Sequence, residues 1–212
     1  IERGFEMKYS VNAHSSIRIQ DTMILYIDPF QISAESQDAD IVFVTHSHYD
    51  HLSKEDLLKV IDSKTVIVLP ESCLEEFQKL EISNTLFPVI PNQTYRLKEL
   101  SFETLPAYNI NKPFHPKENG WVGYRISMNH TNYYIAGDTD ELEENSSIEC
   151  DVAFVPIGGT YTMTAEEAAH FANKMHPRKV VPIHYGSIVG TKEDADLFVS
   201  LLNPDIIYEI LI

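Results

Sequence analysis

The chain has 212 residues, among them 16 Lys and Arg against 32 Asp and Glu, for a formal net charge of −16. Its length fits one domain, and its hydrophobic fraction of 43% allows a sizeable core, which excludes an intrinsically disordered protein. The negative charge argues against a general nucleic-acid-binding protein, because such proteins need cations to displace counterions from phosphates.

The two cysteines, Cys73 and Cys150, have no metal-binding or redox spacing. We therefore expect a reduced, cytoplasmic protein. No stretch approaches the roughly 20 apolar residues that cross a membrane, and the start lacks the apolar core of a secretory signal. Met7 is a candidate natural start, which would make residues 1–6 an extension.

The first half of the chain predicts strands interrupted by two helices. β-Branched and aromatic residues predict strands over 9–18, 23–28, 41–45, 66–69, 85–90, 94–97 and 101–105. A helix fits 53–61, where Ser53 can cap the first turn and Leu57 and Ile61 lie on one apolar face. A second helix fits 71–80.

The second half repeats this pattern. Strands are predicted over 121–128, 132–136, 151–157, 180–184 and 206–211, and helices over 164–175 and 192–202. Thr164 and Glu167 form a capping box at the start of the first of these helices, and Pro177 ends it. Each half is rich in strands, and its helices have apolar faces that must pack against another layer. This pattern predicts an α/β fold of two packed sheets with helices outside. We expect one domain over 1–212.

The run Thr45-His46-Ser47-His48-Tyr49-Asp50-His51-Leu52 carries the most chemistry. It lies between a predicted apolar strand and a capped helix, where functional groups gather in α/β folds. His46 and His48 are two positions apart and point the same way in an extended backbone. Asp50 and His51 lie where the chain turns, so they can approach from another side. Imidazole and carboxylate groups suit zinc, iron and manganese.

This run resembles the signature of the metallo-β-lactamase superfamily. Further segments match in the same order along nearly the whole chain, from about Met7 to Ile212: Ala13-His14-Ser15-Ser16, Leu25-Tyr26-Ile27-Asp28-Pro29-Phe30, Ala136-Gly137-Asp138-Thr139-Asp140 and Pro182-Ile183-His184-Tyr185. The first two are similar to the start of the small metal-dependent hydrolase branch of that superfamily. The resemblance implies a four-layer αββα sandwich of two packed mixed sheets with outer helices.

The resemblance also implies roles for individual residues. His46 and His48 would bind a first metal ion, and Asp50, His51 and His184 a second. Asp138 would touch both ions, with a hydroxide between them. The cofactors implied are two divalent ions, with zinc as the expected metal and manganese, iron or nickel as alternatives.

One position departs from the family pattern. Tyr108 stands where the family has a third histidine for the first metal, and a neutral phenol is a poor ligand. His115, in a proline-containing loop between two strands, is the candidate replacement. If nothing replaces the missing ligand, one-metal occupancy follows. Tyr108, Asn109 and His14 are candidates for contacts with substrate or with a metal ligand.

The leading prediction is an enzyme: a metal-dependent hydrolase in which a metal-activated hydroxide attacks a small ester, lactone or phosphodiester. Asp50 would assist proton transfer as the catalytic residue, and Lys112 and Lys117 are candidates to attract an anionic substrate. The partner is a small molecule rather than nucleic acid or a membrane, and nothing indicates the oligomeric state. The alternatives are a single-iron oxidoreductase similar to sulfur dioxygenases and a metal-binding protein without catalytic activity.

Overall fold

The structure, a computed structural model, describes residues 8–212, so the predicted extension at residues 1–6 and the candidate start at Met7 lie outside the described residues. Two sheets account for the strands of residues 8–212. The six-stranded sheet contains β1 (Lys8–Val11), β2 (Ile17–Gln20), β3 (Ile24–Ile27), β4 (Ile41–Phe43), β5 (Val66–Pro70) and β6 (Thr85–Val89). The seven-stranded sheet contains β7 (Gln93–Leu97), β8 (Leu100–Pro106), β9 (Val122–Met128), β10 (Thr131–Ile135), β11 (Val152–Pro156), β12 (Lys179–Ile183) and β13 (Ile207–Tyr208).

Both sheets are mixed. In the first, β1, β2 and β3 pair antiparallel, and β3 to β6 pair parallel. In the second, β7 to β10 pair antiparallel, and β10 to β13 pair parallel. The loops at the carboxyl ends of β4 and β12 lie at the ends of parallel strands, where α/β folds build their sites.

The inner strands are buried on both faces, which explains their continuous apolar runs. In β4, Ile41 and Phe43 face the core between the two sheets, whereas Val42 faces the outer core of the first sheet. In β11, Phe154 faces the core between the sheets and Val155 faces the helices outside the second sheet. This alternation follows from the two-residue period of a strand.

Four helices cover the outer faces among the described residues: α1 (Lys54–Val60), α2 (Leu74–Gln78), α3 (Ala165–Met175) and α4 (Lys192–Ser200). Leu57 of α1 and Phe77 of α2 pack on the first sheet, and Phe171 of α3 and Phe198 of α4 pack on the second. The predicted αββα sandwich is therefore confirmed. None of these helices combines the length and the apolar character needed to cross a membrane.

The helix starts also follow the sequence. The Ser53 side chain accepts a hydrogen bond from the backbone N–H of Asp56, and Thr164 and Glu167 form the predicted capping box at the start of α3. The helix predicted over 71–80 begins instead with a 3-10 turn, Glu71–Cys73, and its α-helical part is Leu74–Gln78.

Two predicted strands are wrong in extent. Residues 9–18 form a hairpin instead of one strand, because the N–H of Asn12 donates to Ser16 O at 2.8 Å and the chain reverses. The strand predicted over 206–211 is reduced to Ile207–Tyr208. Pro182 of the neighbouring β12 has no N–H to donate, so the ladder of hydrogen bonds between β12 and β13 cannot continue past it.

Candidate metal centre

The loop that follows β4 turns sharply through the histidine-rich run. The backbone N–H groups of His51 and Leu52 both donate to the carbonyl of His48, at 3.0 and 2.8 Å. The turn places the ring of His51 against that of His46, with centroids 4.0 Å apart. This one short segment supplies members of both groups of candidate ligands described below.

The first group contains His46, His48 and His115, whose candidate ligand nitrogens lie within 4.8 Å of one another. Nε2 of His46 is 3.0 Å from Nδ1 of His48. Both rings pack against Trp121, with ring centroids 4.9 Å apart in each case. Burial, reinforced by neighbouring His51, lowers the pKa of His46 well below its usual value. His46 is therefore neutral, the form that binds metal ions.

Asn109 orients His115. Its Oδ1 accepts a hydrogen bond from the His115 backbone N–H and lies 3.0 Å from His115 Nδ1. Because an amide oxygen only accepts, the proton belongs on Nδ1 and the lone pair on Nε2, which lies 3.2 Å from Asp138 Oδ2. Tyr108 does not take part: its hydroxyl donates to Glu144 at 2.8 Å. Asn109 thus contacts a candidate ligand, whereas the Tyr108 side chain does not.

The second group contains His14, Asp50, His51 and His184, also within 4.8 Å of one another. His14 lies in the turn between β1 and β2 rather than on a strand, and its Nε2 is 3.1 Å from Asp50 Oδ2. The carbonyl of His14 accepts the backbone N–H of His184 at 2.9 Å. Burial opposes ionisation of Asp50, but the neighbouring imidazoles of His14 and His51 outweigh it and hold the pKa of this carboxyl well below its usual range.

Asp138 lies between the two groups and is 4% exposed. Its carboxylate oxygens lie 2.9 Å from His184 Nε2, 3.2 Å from His115 Nε2, 3.4 Å from His51 Nε2 and 3.8 Å from His46 Nε2. Burial opposes its ionisation, but His184 and His51 lower the pKa of Asp138 well below its usual value. An ionised carboxylate is thus held among four imidazoles.

Asp28 supports His51 from behind. Its carboxylate accepts the N–H and the hydroxyl of Thr45, at 2.8 and 2.7 Å, and lies 2.8 Å from His51 Nδ1. Burial disfavours the charged imidazole, but Asp138 and Asp28 outweigh it and raise the pKa of His51 well above its usual value. The two carboxylates therefore stabilise positive charge beside His51.

The unpartnered polar atoms test whether these residues fit a metal ion. Within residues 8–212, no hydrogen-bond partner exists for His51 Nε2, His115 Nε2, His184 Nε2 or Asp138 Oδ1, although all are buried. Each such atom costs about 1–3 kcal/mol. A cation with nitrogen and oxygen ligands would satisfy all of them. The set therefore fits divalent metal ions.

Strained backbone accompanies these side chains. His14, Asp28 and His184 have positive φ angles of 54, 45 and 59°, in a region that residues other than glycine seldom adopt. Such conformations persist where the surrounding structure enforces them, commonly at functional sites.

A cavity of about 330 Å³ opens onto the metal centre. Its walls are formed by His48, Tyr49, Asp50, Phe114, His115, Asp138, Tyr161 and Ile188. Tyr49, Phe114, Tyr161 and Ile188 are not among the site residues predicted from the sequence. The available signal was proximity in sequence, because Tyr49 lies between His48 and Asp50, and Phe114 precedes His115.

The sequence pattern of the beta-lactamase superfamily domain matches residues 8–185 of the chain. The chain belongs to the metallo-β-lactamase superfamily.

Relatives within this superfamily are metal-dependent hydrolases by name. A UPF0173 metal-dependent hydrolase of Caldivirga maquilingensis is 30% identical over 79% of this chain and 73% of that protein. A protein of the same name from Methanosphaera stadtmanae is 27% identical over 95% of this chain and 93% of that protein. Among solved structures, a protein assigned as a metal-dependent hydrolase from Parabacteroides distasonis has a TM-score of 0.81 and 27% identity, covering 97% of this chain and 92% of that one.

Proposed function

We propose that this metal-dependent hydrolase binds two divalent metal ions, with zinc as the expected metal, and cleaves a small ester, lactone or phosphodiester. The observation that carries the proposal is the convergence of imidazoles from the loops after β4, β8 and β12 on one buried carboxylate, Asp138. In this proposal the ligands of the first ion are His46, His48 and His115, those of the second are Asp50, His51 and His184, and Asp138 is shared.

When bound, such ions polarise the scissile carbonyl or phosphoryl bond and lower the pKa of water, so that hydroxide forms near neutral pH. The chain itself contributes Asp50, a carboxylate on the cavity wall that stays ionised. In this proposal it orients the attacking water and assists its proton transfer. His14 fixes the orientation of that carboxylate through the 3.1 Å contact with Oδ2. Asp28 and Asn109 fix the rings of His51 and His115 in the same way.

We also propose a small-molecule substrate and a cytoplasmic location. The net charge of −16 disfavours a polyanionic substrate such as nucleic acid. Both cysteines are free, and neither lies in the metal centre. Free thiols agree with a reducing compartment.

The contribution of His115 supports two-metal occupancy. An uncertain first metal site was one reason to consider a single-iron oxidoreductase, and the missing histidine favoured an inactive metal-binding protein. Three imidazoles close to the first site weaken both alternatives.

Metal analysis of variants tests the proposal. We expect two ions per chain in the wild type, fewer in His115→Ala, and no change in Tyr108→Phe, whose hydroxyl is bonded to Glu144. Equal metal content in the two variants would contradict the ligand assignment.

A second measurement tests the reaction type. Turnover of a panel of esters, lactones and phosphodiesters is measured with and without oxygen. Hydrolysis needs no oxygen, so activity that stops under anaerobic conditions would favour the oxidoreductase. Metal-loaded protein that turns over no member of the panel would contradict hydrolysis.

A further inference from the structure

The cavity at the metal centre has two chemically different sides. One side consists of the candidate ligands and Asp50. The other, which we call the apolar wall, consists of Tyr49, Phe114, Tyr161 and Ile188, which come from four separate loops. A volume of about 330 Å³ is at the lower end of the range for small-molecule sites. The cavity thus has room for a scissile group and one modest substituent.

The apolar wall is exposed to solvent. Tyr49, Phe114 and Ile188 are 68, 40 and 37% exposed, although each is a large apolar side chain. The rings of Phe114 and Tyr161 meet edge to face, with centroids 4.7 Å apart, which gives this wall a fixed shape. Exposed apolar side chains gathered at a concave site are typical of ligand contacts. A substrate group that covers one of them removes apolar surface from water, which favours binding.

Lys112 and Lys117 do not line the cavity, contrary to the sequence prediction that they attract an anionic substrate. Lys112 Nζ donates to Asp140 at 2.5 Å and to the carbonyl of Thr162 at 2.9 Å. Lys117 Nζ donates to the Tyr108 hydroxyl at 3.0 Å. Both amino groups are therefore occupied by other partners.

The described lining of the cavity contains no lysine or arginine, and two of its members, Asp50 and Asp138, are acidic. An anionic substituent that extends away from the metal ions would lose hydration and meet no compensating cation there. Burial of an unpaired charge is strongly unfavourable. Any negative charge on the substrate must therefore lie at the scissile group itself.

We infer that the substrate has no anionic group beyond the scissile bond and carries an alkyl or aryl substituent that packs against Phe114, Tyr161 and Ile188. This inference rests on the proposed hydrolytic function. It excludes substrates with a second anionic group and makes the apolar wall the determinant of specificity.

A matched substrate pair tests the inference on the zinc-loaded full chain. The pair is p-nitrophenyl hexanoate and the p-nitrophenyl monoester of adipic acid, which differ in the carboxylate at the end of the chain. We expect kcat/KM to be at least about tenfold higher for the hexanoate, as for other discriminations based on one buried group. Calorimetric titration with hexanoate and adipate gives a readout independent of turnover, and hexanoate should bind more tightly.

A charge introduced into the wall provides the decisive variant. Ile188→Lys should shift the kcat/KM ratio at least about tenfold toward the adipate ester, because the new ammonium can pair with its carboxylate. Ile110→Lys is the matched control: Ile110 is 59% exposed and does not line the cavity, so the same change in net charge should leave the ratio unchanged. Metal content and melting temperature check that both variants fold.

The outcomes separate this inference from the function on which it rests. Equal turnover of the two esters, with no response to Ile188→Lys, would overturn the inference and leave hydrolysis standing. Bis(p-nitrophenyl) phosphate, whose charge lies only at the scissile group, is the phosphodiester of the test set. Failure to cleave any of these substrates would overturn the proposed function, and the inference with it.

Discussion

Gly158 lies directly against His184, and its replacement by alanine tests how closely the chain fixes that ligand. A Cβ at position 158 would lie 2.4 Å from the carbonyl oxygen of His184 and 3.1 Å from its Nδ1. Ordinary carbon–oxygen contacts begin near about 3.3 Å, so the two segments must separate by about 1 Å. The nearest atom is backbone, so no rotation of a side chain can relieve the clash.

The expected result of Gly158→Ala has two parts. Overpacking of this kind costs about 1–3 kcal/mol of unfolding free energy, measured by urea denaturation of the metal-free protein. The displacement also exceeds the roughly 0.5 Å within which a functional group must be held. We therefore expect zinc affinity, measured by competition with a chromophoric chelator, to fall by about 10- to 100-fold, as when a ligand loses its supporting contact.

The neighbouring glycine supplies the control. Gly159 has a φ of +77°, but a Cβ there would come no closer than 3.8 Å to its nearest neighbour, Thr164 Cγ2. Gly159→Ala should therefore cost about 1–2 kcal/mol through its backbone conformation and leave zinc affinity unchanged. Wild-type affinity in Gly158→Ala would refute the reasoning, as would equal losses of affinity in the two variants.

Three further predictions concern individual side chains. Asp28→Asn should weaken zinc binding by about 10- to 100-fold, because the carboxylate that supports His51 becomes neutral; unchanged affinity in a chelator competition would contradict this role. Burial raises the thiol pKa of Cys73 and of Cys150 to about 12, so both thiols stay protonated at pH 8, and Ellman's reagent should react only after denaturation. Rapid labelling of the native protein would contradict that protection. Thr164→Ala should cost about 0.5–2 kcal/mol in a urea titration without changing metal content, since it removes only a helix cap; a loss of zinc would show wider damage.

The sequence predicted the layers of the fold because its strongest signals are local. Buried strands such as Val152–Pro156 are continuous apolar runs, and the capping box of Thr164 and Glu167 fixes the start of α3. The shortened β13 depends on a distant partner, because Pro182 of β12 cannot extend the ladder. The β1–β2 hairpin is a local feature: its turn, closed between Asn12 and Ser16, lies inside the run that was predicted as one strand.

The same distinction holds at the metal centre. His46, His48, Asp50 and His51 are predictable because the spacing of one short run carries them. His115 was harder, because its position depends on Asn109 and on the path of a long loop. The apolar wall of the cavity was missed altogether, since its members lie in four loops and meet only after folding.

The candidate ligands are divided between the two sheets. His46, His48, Asp50 and His51 follow β4 of the first sheet, whereas His115, Asp138 and His184 follow strands of the second. Metal ions bound by ligands from both sets would link the two halves of the polypeptide. If the chain is cut between β6 and β7, each fragment carries only part of the ligand set. Zinc uptake when the two fragments are mixed would then measure their reassembly.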